Sequence, residues 1–357
     1  MKITSDINRV LIAPIDWGLG HATRCVPIIN DLIEKGITPV IAAYGAPLKF
    51  YRLEFPDVEI IEFPGLQIKY PSKYSLMLKM AVMFPQIVSA FIKEHFMLKQ
   101  IVEDYKVDAV ISDGRFGLWN RKVKSVFVNH QINIKLPGMF SLFEYPLYLL
   151  NRLAMSGFDE VWVPDINDKP NLAGELSSKY DLSDRYKYIG PLSRFRNTNK
   201  VGDSFSSDIL IIISGPEPAR TEFEDILLRQ FENETKRRII VVRGKPGDSK
   251  TIRELPENVV IHNHLSSEEL CSAIHNTKLV ISRPGYSTIM DLTKFAKNAI
   301  FIPTPGQSEQ EYLAAYFKQV RWAPFYNQDE FELRKAVEIT NKYSGIPLIK
   351  NSLQIRL

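Results

Sequence analysis

Two stretches toward the C-terminal end of this chain constrain its fold more than any others. Ser282-Arg-Pro-Gly-Tyr-Ser-Thr-Ile-Met-Asp291 follows an apolar run from Leu279. It reads as a strand end, a tight turn at Gly285, and a helix opening on Ser287 and Thr288. Ile302-Pro-Thr-Pro-Gly-Gln-Ser-Glu-Gln-Glu-Tyr312 repeats the arrangement after an apolar strand from Ala299, with Gln310 and Glu311 opening the next helix. Strand, glycine loop and helix in succession form the C-terminal edge of an open α/β sheet. Backbone N–H groups and a helix dipole there favour phosphorylated ligands. One edge suits a diphosphate and its neighbour suits hydroxyl groups, so the pair reads as a nucleotide-sugar pocket.

The chain also echoes itself. Arg9-Val-Leu-Ile-Ala13 is a short apolar strand followed by Gly18-Leu-Gly-His21 and a helix from about Thr23. Some two hundred residues later Asp208–Ser214 is another, followed by Gly215-Pro-Glu-Pro218 and a helix from about Arg220. Further short apolar strands alternate with helical patterns: Pro39–Ala43, Val58–Phe63, Ala109–Ser112, Ser125–Asn129 and Glu160–Pro164, then Arg238–Arg243, Val259–His262, Lys278–Ser282 and Ala299–Ile302. Apolar strands separated by helices imply parallel sheets covered on both faces. The polar segment Ser193–Ser207 has the composition of a domain boundary. The expected fold class is therefore α/β, with two doubly wound, Rossmann-like domains, 1–195 and 196–357, facing across a cleft. The last helix is free to pack back on the first domain.

Composition narrows the function classes. A chain of 357 residues, 45% apolar and 24% charged, is long enough for two cores. A net charge of +4 is far from the basic stripe of a nucleic-acid binder, so no nucleic-acid partner is expected. Cys25 and Cys271, both in apolar helical contexts, suggest neither a disulfide framework nor structural zinc. No signal peptide and no apolar run of spanning length is read, which points to a cytoplasmic protein.

Individual residues carry the chemistry. Gly18 and Gly20 let the backbone approach a ligand, and His21, facing the cleft, is placed to take a proton from a hydroxyl. This loop is not a GxGxxG dinucleotide fingerprint. Arg24, one turn on, is read either as a phosphate contact or as a surface salt bridge. Asp113, before Gly114 at a strand end, either faces a ligand or simply makes an Asp-Gly turn. His130 occupies the same place one strand on, with partial burial as the alternative. Asp291, six residues after Gly285, is spaced to accept both hydroxyls of a ribose. Gln310 and Glu311 offer partners for sugar hydroxyls, or ordinary helix capping. Arg243, before Gly244, either neutralises a pyrophosphate or faces solvent. His262 and His264 lack a third ligand at metal-binding spacing, so no metal is assigned. Leu66–Phe96 and Leu136–Met155 join apolar and aromatic residues, the first with lysines. They read as buried helices or as a face for peripheral contact with an anionic membrane surface.

Together these motifs resemble the nucleotide-sugar glycosyltransferases of the GT-B fold, in particular the family 28 group that contains the peptidoglycan lipid-intermediate N-acetylglucosaminyltransferase. The resemblance spans nearly the whole chain and is strongest over residues 259–316. It implies that His21 ends the N-terminal glycine loop and that Ser214 and Gly215 open the donor domain. It places the base pocket near His264 and Leu265, and the ribose-binding acid at Asp291, where the family usually has Glu. Gln310 and Glu311 fall where the family has paired glutamines, so the donor sugar need not be N-acetylglucosamine. Pro216 and Pro218 remove an N–H each from a loop that usually carries small residues. The Gly-Leu-Gly-His-Ala-Thr-Arg loop also resembles UDP-sugar hydrolases of nonulosonic acid biosynthesis.

The resemblance implies an inverting glycosyltransferase that moves a sugar from a nucleoside diphosphate sugar, a UDP-sugar, to a glycan or lipid-linked acceptor. His21 would be the base, Asp113 the next candidate, and neither metal nor cofactor would be required. It would work in the cytoplasm, with peripheral attachment to the inner membrane face as a variant. The rival readings are a UDP-sugar hydrolase of the same fold and a non-catalytic nucleotide-sugar-binding protein.

Overall fold

The computed structural model describes residues 7–65, 76–136, 138–195, 205–215, 217–245, 255–349, 355 and 357, with backbone alone for 76–82. The chain divides into two compact units, Met1–Arg194 with Asn351–Leu357, and Phe195–Lys350.

Unit 1 runs β1 (Arg9–Pro14), α1 (Leu19–Glu34), β2 (Thr38–Ala43), α2 (Gly45–Glu54), β3 (Glu59–Glu62), α3 (Leu76–Asp104), β4 (Ala109–Asp113), β5 (Lys124–Val128), α4 (Glu144–Ala154), β6 (Glu160–Val163), α5 (Glu175–Ser178) and β7 (Tyr186–Tyr188). Its seven strands lie in the order β3-β2-β1-β4-β5-β6-β7, and every adjacent pair is parallel. The central strands are uninterrupted apolar runs because both sheet faces are covered: all of β1 after Arg9 and all of β4 are buried. Leu11, Val40, Phe63, Leu98 and Val110 form one core cluster, and Phe127, Tyr148, Phe158 and Val163 another.

Unit 2 runs β8 (Ser207–Ile212), α6 (Ala219–Phe231), β9 (Ile239–Val242), β10 (Val259–His262), α7 (Ser267–His275), β11 (Thr277–Ser282), α8 (Tyr286–Leu292), β12 (Asn298–Phe301), α9 (Ser308–Gln319) and α10 (Leu333–Ile339). Its strand order is β10-β9-β8-β11-β12, again all parallel. Ile209, Ile211, Phe223, Leu227, Phe231, Ile281 and Ile300 fill the core. A capping box at α7 joins Ser266 and Glu269 reciprocally, satisfying two backbone donors at the helix start.

Both sheets are doubly wound, as the alternating pattern implies. The chain leaves β1 toward β2 on one side and returns to β4 on the other; β8 stands likewise between β9 and β11. Ligands in open α/β sheets bind outside the carboxyl ends of the strands at such reversals. In unit 1 that place lies beyond Pro14 and Asp113, which are in register. In unit 2 it lies beyond Ile212 and Ser282, also in register.

Candidate functional site

In unit 1 the reversal point collects a charged cluster. Asp113 ends β4 and is fully buried. Arg24, one turn into α1 and 3% exposed, reaches it with both arms: Nε donates to Oδ2 at 2.6 Å and Nη2 donates to Oδ1. The surface salt bridge read as one alternative for Arg24 does not hold, since the guanidinium is buried and paired with the equally buried Asp113 carboxylate. Its Nη1 reaches Nδ1 of the buried His130 at 3.1 Å. His21 sits above this pair, with Nδ1 3.1 Å from Asp113 Oδ1 and 2.9 Å from Arg24 Nη2. Its side chain keeps 30% exposure.

The backbone explains the placement. Gly18 caps α1 at φ 136°, a conformation that side chains rarely adopt, so the chain turns sharply from β1 into the helix. That turn puts His21 and Arg24 on successive turns of one helix face. Gly114 follows Asp113 at φ 80°. Burial alone would push the Asp113 carboxyl upward; the adjoining Arg24 guanidinium and His21 outweigh it and hold the group well below the usual carboxylate range. Asp113 is therefore a permanent anion at neutral pH. Two tautomers of His21 satisfy the geometry. With the hydrogen on Nδ1, the ring donates to Asp113 and Nε2 is left as a base; with Nδ1 bare, it accepts from Arg24.

A second buried cluster lies beside the first. Arg115 donates to Glu94 Oε1 at 2.6 Å from Nη1, to the Pro14 carbonyl at 2.9 Å from Nε, and to the Phe63 carbonyl from Nη2. Asp16 stands 3.6 Å away. Burial raises Glu94, and Arg115 opposes the rise.

Unit 2 presents its own reversal point. Ser214 and Gly215 follow β8 and are exposed, with Gly215 at φ 106°. Pro216 lies outside the described residues, whereas Pro218 stands as the N-cap of α6. Gly285 caps α8, a helix of only seven residues, and Ser287 and Thr288 are half-buried in its first turn. Asp291 is buried farther along the same helix. Burial first, and then the Asp291 charge, raise the Cys271 thiol of α7. Gln310 and Glu311 fold back on their own loop: Thr304 N–H donates to Gln310 Oε1 and Gly306 N–H to Glu311 Oε1, each at 2.8 Å. These bonds satisfy donors of the preceding loop; the N-cap of α9, Gln307, makes no side-chain capping bond. Arg243 does not face solvent. It is buried, with Nε bonded to Glu224 at 2.6 Å and Nη1 to Asn263 at 2.8 Å, so a carboxylate already meets its charge. His264 is exposed and Leu265 buried after β10. Among the described residues no three metal-binding side chains are grouped.

Sequence reasoning missed Arg283. Its Nη1 donates to the Ile302 and Pro303 carbonyls and its Nη2 to the Ala219 carbonyl and Gln328, above the Phe223 ring. It ties the ends of β11 and β12 to the start of α6. Burial lowers its pKa to about 10. The one signal for it is an arginine set directly after a buried apolar strand; Arg115 stands two residues beyond the end of β4.

On the surface of unit 1, α4 shows an inverted pattern. It buries Glu144 and Asn151 beside Tyr148 and exposes Tyr145, Leu149, Leu150 and Leu153, with Met139, Leu142 and Phe143 exposed just before it. Much of the other apolar segment, 66–75, lies outside the described residues.

Residues 209–344 match the glycosyltransferase family 28 C-terminal domain. An uncharacterized glycosyltransferase of Methanosarcina acetivorans is 22% identical, covering 87% of this chain and 83% of its own. The UDP-N-acetylglucosamine--N-acetylmuramyl-(pentapeptide) pyrophosphoryl-undecaprenol N-acetylglucosamine transferase of Buchnera aphidicola is 23% identical, covering 86% and 81%. Among solved structures, the glycosyltransferase of kitacinnamycin superposes with a TM-score of 0.68 at 14% identity over 94% of this chain and 90% of that one. MurG of Acinetobacter baumannii gives 0.57 at 13% identity over 96% and 94%. This chain is a glycosyltransferase of the GT-B fold, with a family 28 C-terminal domain in its second unit.

Proposed function

We propose that the protein transfers a sugar from a UDP-sugar to an acceptor hydroxyl with inversion, using His21 as the base. The observation that carries this reading is the half-exposed His21 imidazole resting on the buried Asp113–Arg24 pair. In the Nδ1–H tautomer, Asp113 orients the ring and stabilises the imidazolium that forms, while Nε2 takes the acceptor proton. The acceptor oxygen then bonds to the anomeric carbon as the bond to the diphosphate breaks, and the electron pair leaves on the diphosphate. Asp113 acts through His21 as a positioning residue.

Unit 2 holds the donor in this reading. The N–H groups around Ser214 and Gly215 and the hydroxyls of Ser287 and Thr288 meet the diphosphate charge without calling for a metal. Asp291 takes the ribose hydroxyls. Gln310 and Glu311 exchange their loop bonds for sugar hydroxyls, and His264 and Leu265 border the base. Arg243 holds the β9–β10 edge through Glu224 and Asn263 rather than touching phosphate.

The Buchnera relative is named for a pyrophosphoryl-undecaprenol acceptor. A lipid-linked acceptor suits the exposed apolar face of α4, which would rest peripherally on the membrane carrying it. No described helix is long and apolar enough to cross a membrane. Co-sedimentation with vesicles containing anionic lipid should fall when Leu149 and Leu153 are both changed to Ser; equal sedimentation would remove the membrane contact.

Turnover is the central test. The protein is incubated with UDP-glucose and UDP-N-acetylglucosamine, with and without a membrane extract as the acceptor source. Release of UDP that needs the extract supports transfer. Equal release of UDP and free sugar without it would favour hydrolysis, since the same His21 would then activate water.

A further inference from the structure

The loop after β8 carries an acid beside the groups read as holding the donor's diphosphate. Glu217 stands two residues beyond Gly215, just ahead of α6. Its Oε1 accepts from Arg220 Nε at 3.0 Å and Nη2 at 2.7 Å, and its Oε2 from the Thr221 N–H at 3.2 Å and hydroxyl at 2.8 Å. Burial alone would raise this carboxyl; the bonds from Arg220 and Thr221 outweigh it and hold the group below its ordinary range. Glu217 is thus an anion at neutral pH, set against a guanidinium and a first-turn N–H. A phosphate is held at such an edge by the same kinds of group.

The cations around Glu217 exceed what the neighbouring acids need. Lys245, beyond the end of β9, has a side chain only 17% exposed. Its Nζ lies 3.6 Å from Glu224 and 3.9 Å from Glu217 and makes no hydrogen bond among the described residues. Glu224 is already matched by Arg243 at 2.6 Å. Arg220 and Lys245 therefore face one carboxylate between them, and that carboxylate is half-exposed. Gly244 keeps the loops after β8 and β9 together. At φ 64° it comes so near that a Cβ would stand 3.0 Å from the Ile213 carbonyl, and its own carbonyl accepts from Arg220 Nη1 at 3.1 Å. Pro216 and Pro218 take two N–H donors out of the first of these loops, so side chains must supply its positive charge.

We propose that Glu217 is a built-in competitor of the donor's diphosphate, which displaces it to reach Arg220, Lys245 and the Thr221 N–H. The proposal rests on the reading of unit 2 as the donor site. A ligand must then bring at least the charge of the carboxylate it replaces, so UDP competes with Glu217 and uridine does not.

The test is calorimetric titration of the full chain with UDP and with uridine, in the unaltered protein, Glu217→Gln and Lys245→Met. Glu217→Gln keeps an oxygen for the Thr221 N–H and removes the competing charge. It should bind UDP about tenfold tighter, the scale of one hydrogen bond to a charged group. Lys245→Met should bind UDP about tenfold weaker for the same reason. Uridine carries no phosphate, so its affinity should be equal in all three proteins, which also shows that the pocket is intact. An acid that only caps α6 predicts no gain. UDP affinity that is equal or lower in Glu217→Gln, or that changes in step with uridine, overturns the proposal. Binding of neither UDP nor uridine by any of the three would overturn the donor reading, and the competitor with it.

Discussion

Asp113 contacts both His21, which it would position in the proposed reaction, and Arg24. As the partner of Arg24 it neutralises a buried cation, so Asp113→Asn leaves that charge unpaired and should cost about 3–5 kcal/mol of stability. The sign with pH follows from its depressed pKa. Its contribution is complete above the ordinary carboxylate value of 3.8 and is lost as pH falls from there toward the folded-state value. Urea unfolding should give the same gap between Asp113→Asn and the unaltered protein at pH 7 and pH 5, and a smaller one at pH 3. A gap that narrows between pH 7 and 5 would mean that some other group carries the effect. His21 offers the cleaner kinetic probe because it is partly exposed. His21→Ala should lower kcat about 10²–10⁴-fold, the usual worth of a positioned base, with UDP affinity unchanged. Near-normal turnover would move the base elsewhere.

At the scale of elements, much of this architecture was legible. β10 is observed at the residues expected from its apolar run, β1 and β4 run one residue longer at their ends, and β9 and β12 differ by one residue at each end. Buried parallel strands advertise themselves because both faces must be apolar. β7 was missed, and it is a three-residue edge strand, Tyr-Lys-Tyr, with one face in solvent. Of the site, the glycine turns and His21 could be read because conformation and chemistry are local. The partnership of Arg24 with Asp113 spans 89 residues and depends on β1 and β4 being neighbours, which strand order alone supplies. Arg283 was overlooked for a related reason: its partners are three backbone carbonyls and the Gln328 side chain, all distant in sequence, which leave no mark near it. Arg283→Lys keeps the charge but not the fork that reaches four acceptors. It should destabilise unit 2 by about 2–4 kcal/mol and weaken UDP binding as the loops after β11 and β12 loosen. Differential scanning calorimetry with and without UDP would show both, and an unchanged transition would deny the tie its role.

On the scale of the whole molecule, two units with separate sheets need not respond to one ligand alike. UDP at about a hundred times its dissociation constant should add about 2.7 kcal/mol to whatever unit binds it. Hydrogen exchange should therefore slow first in unit 2, at residues 214–215, 282–288 and 304–311. Protection confined to unit 1 would reverse the donor and acceptor assignments.

The strand order has a consequence during synthesis. β1 is made first but lies at the middle of its sheet, and its partner β4 begins 95 residues after β1 ends, at Ala109 as against Pro14. At ribosomal speeds of about 5–20 residues per second, one side of β1 stays bare for roughly 5–20 s after it emerges. For that interval the nascent chain exposes a long apolar edge able to template the wrong neighbour. Slower translation should lengthen this window, and trigger-type chaperones should be found on nascent chains shorter than those carrying β4.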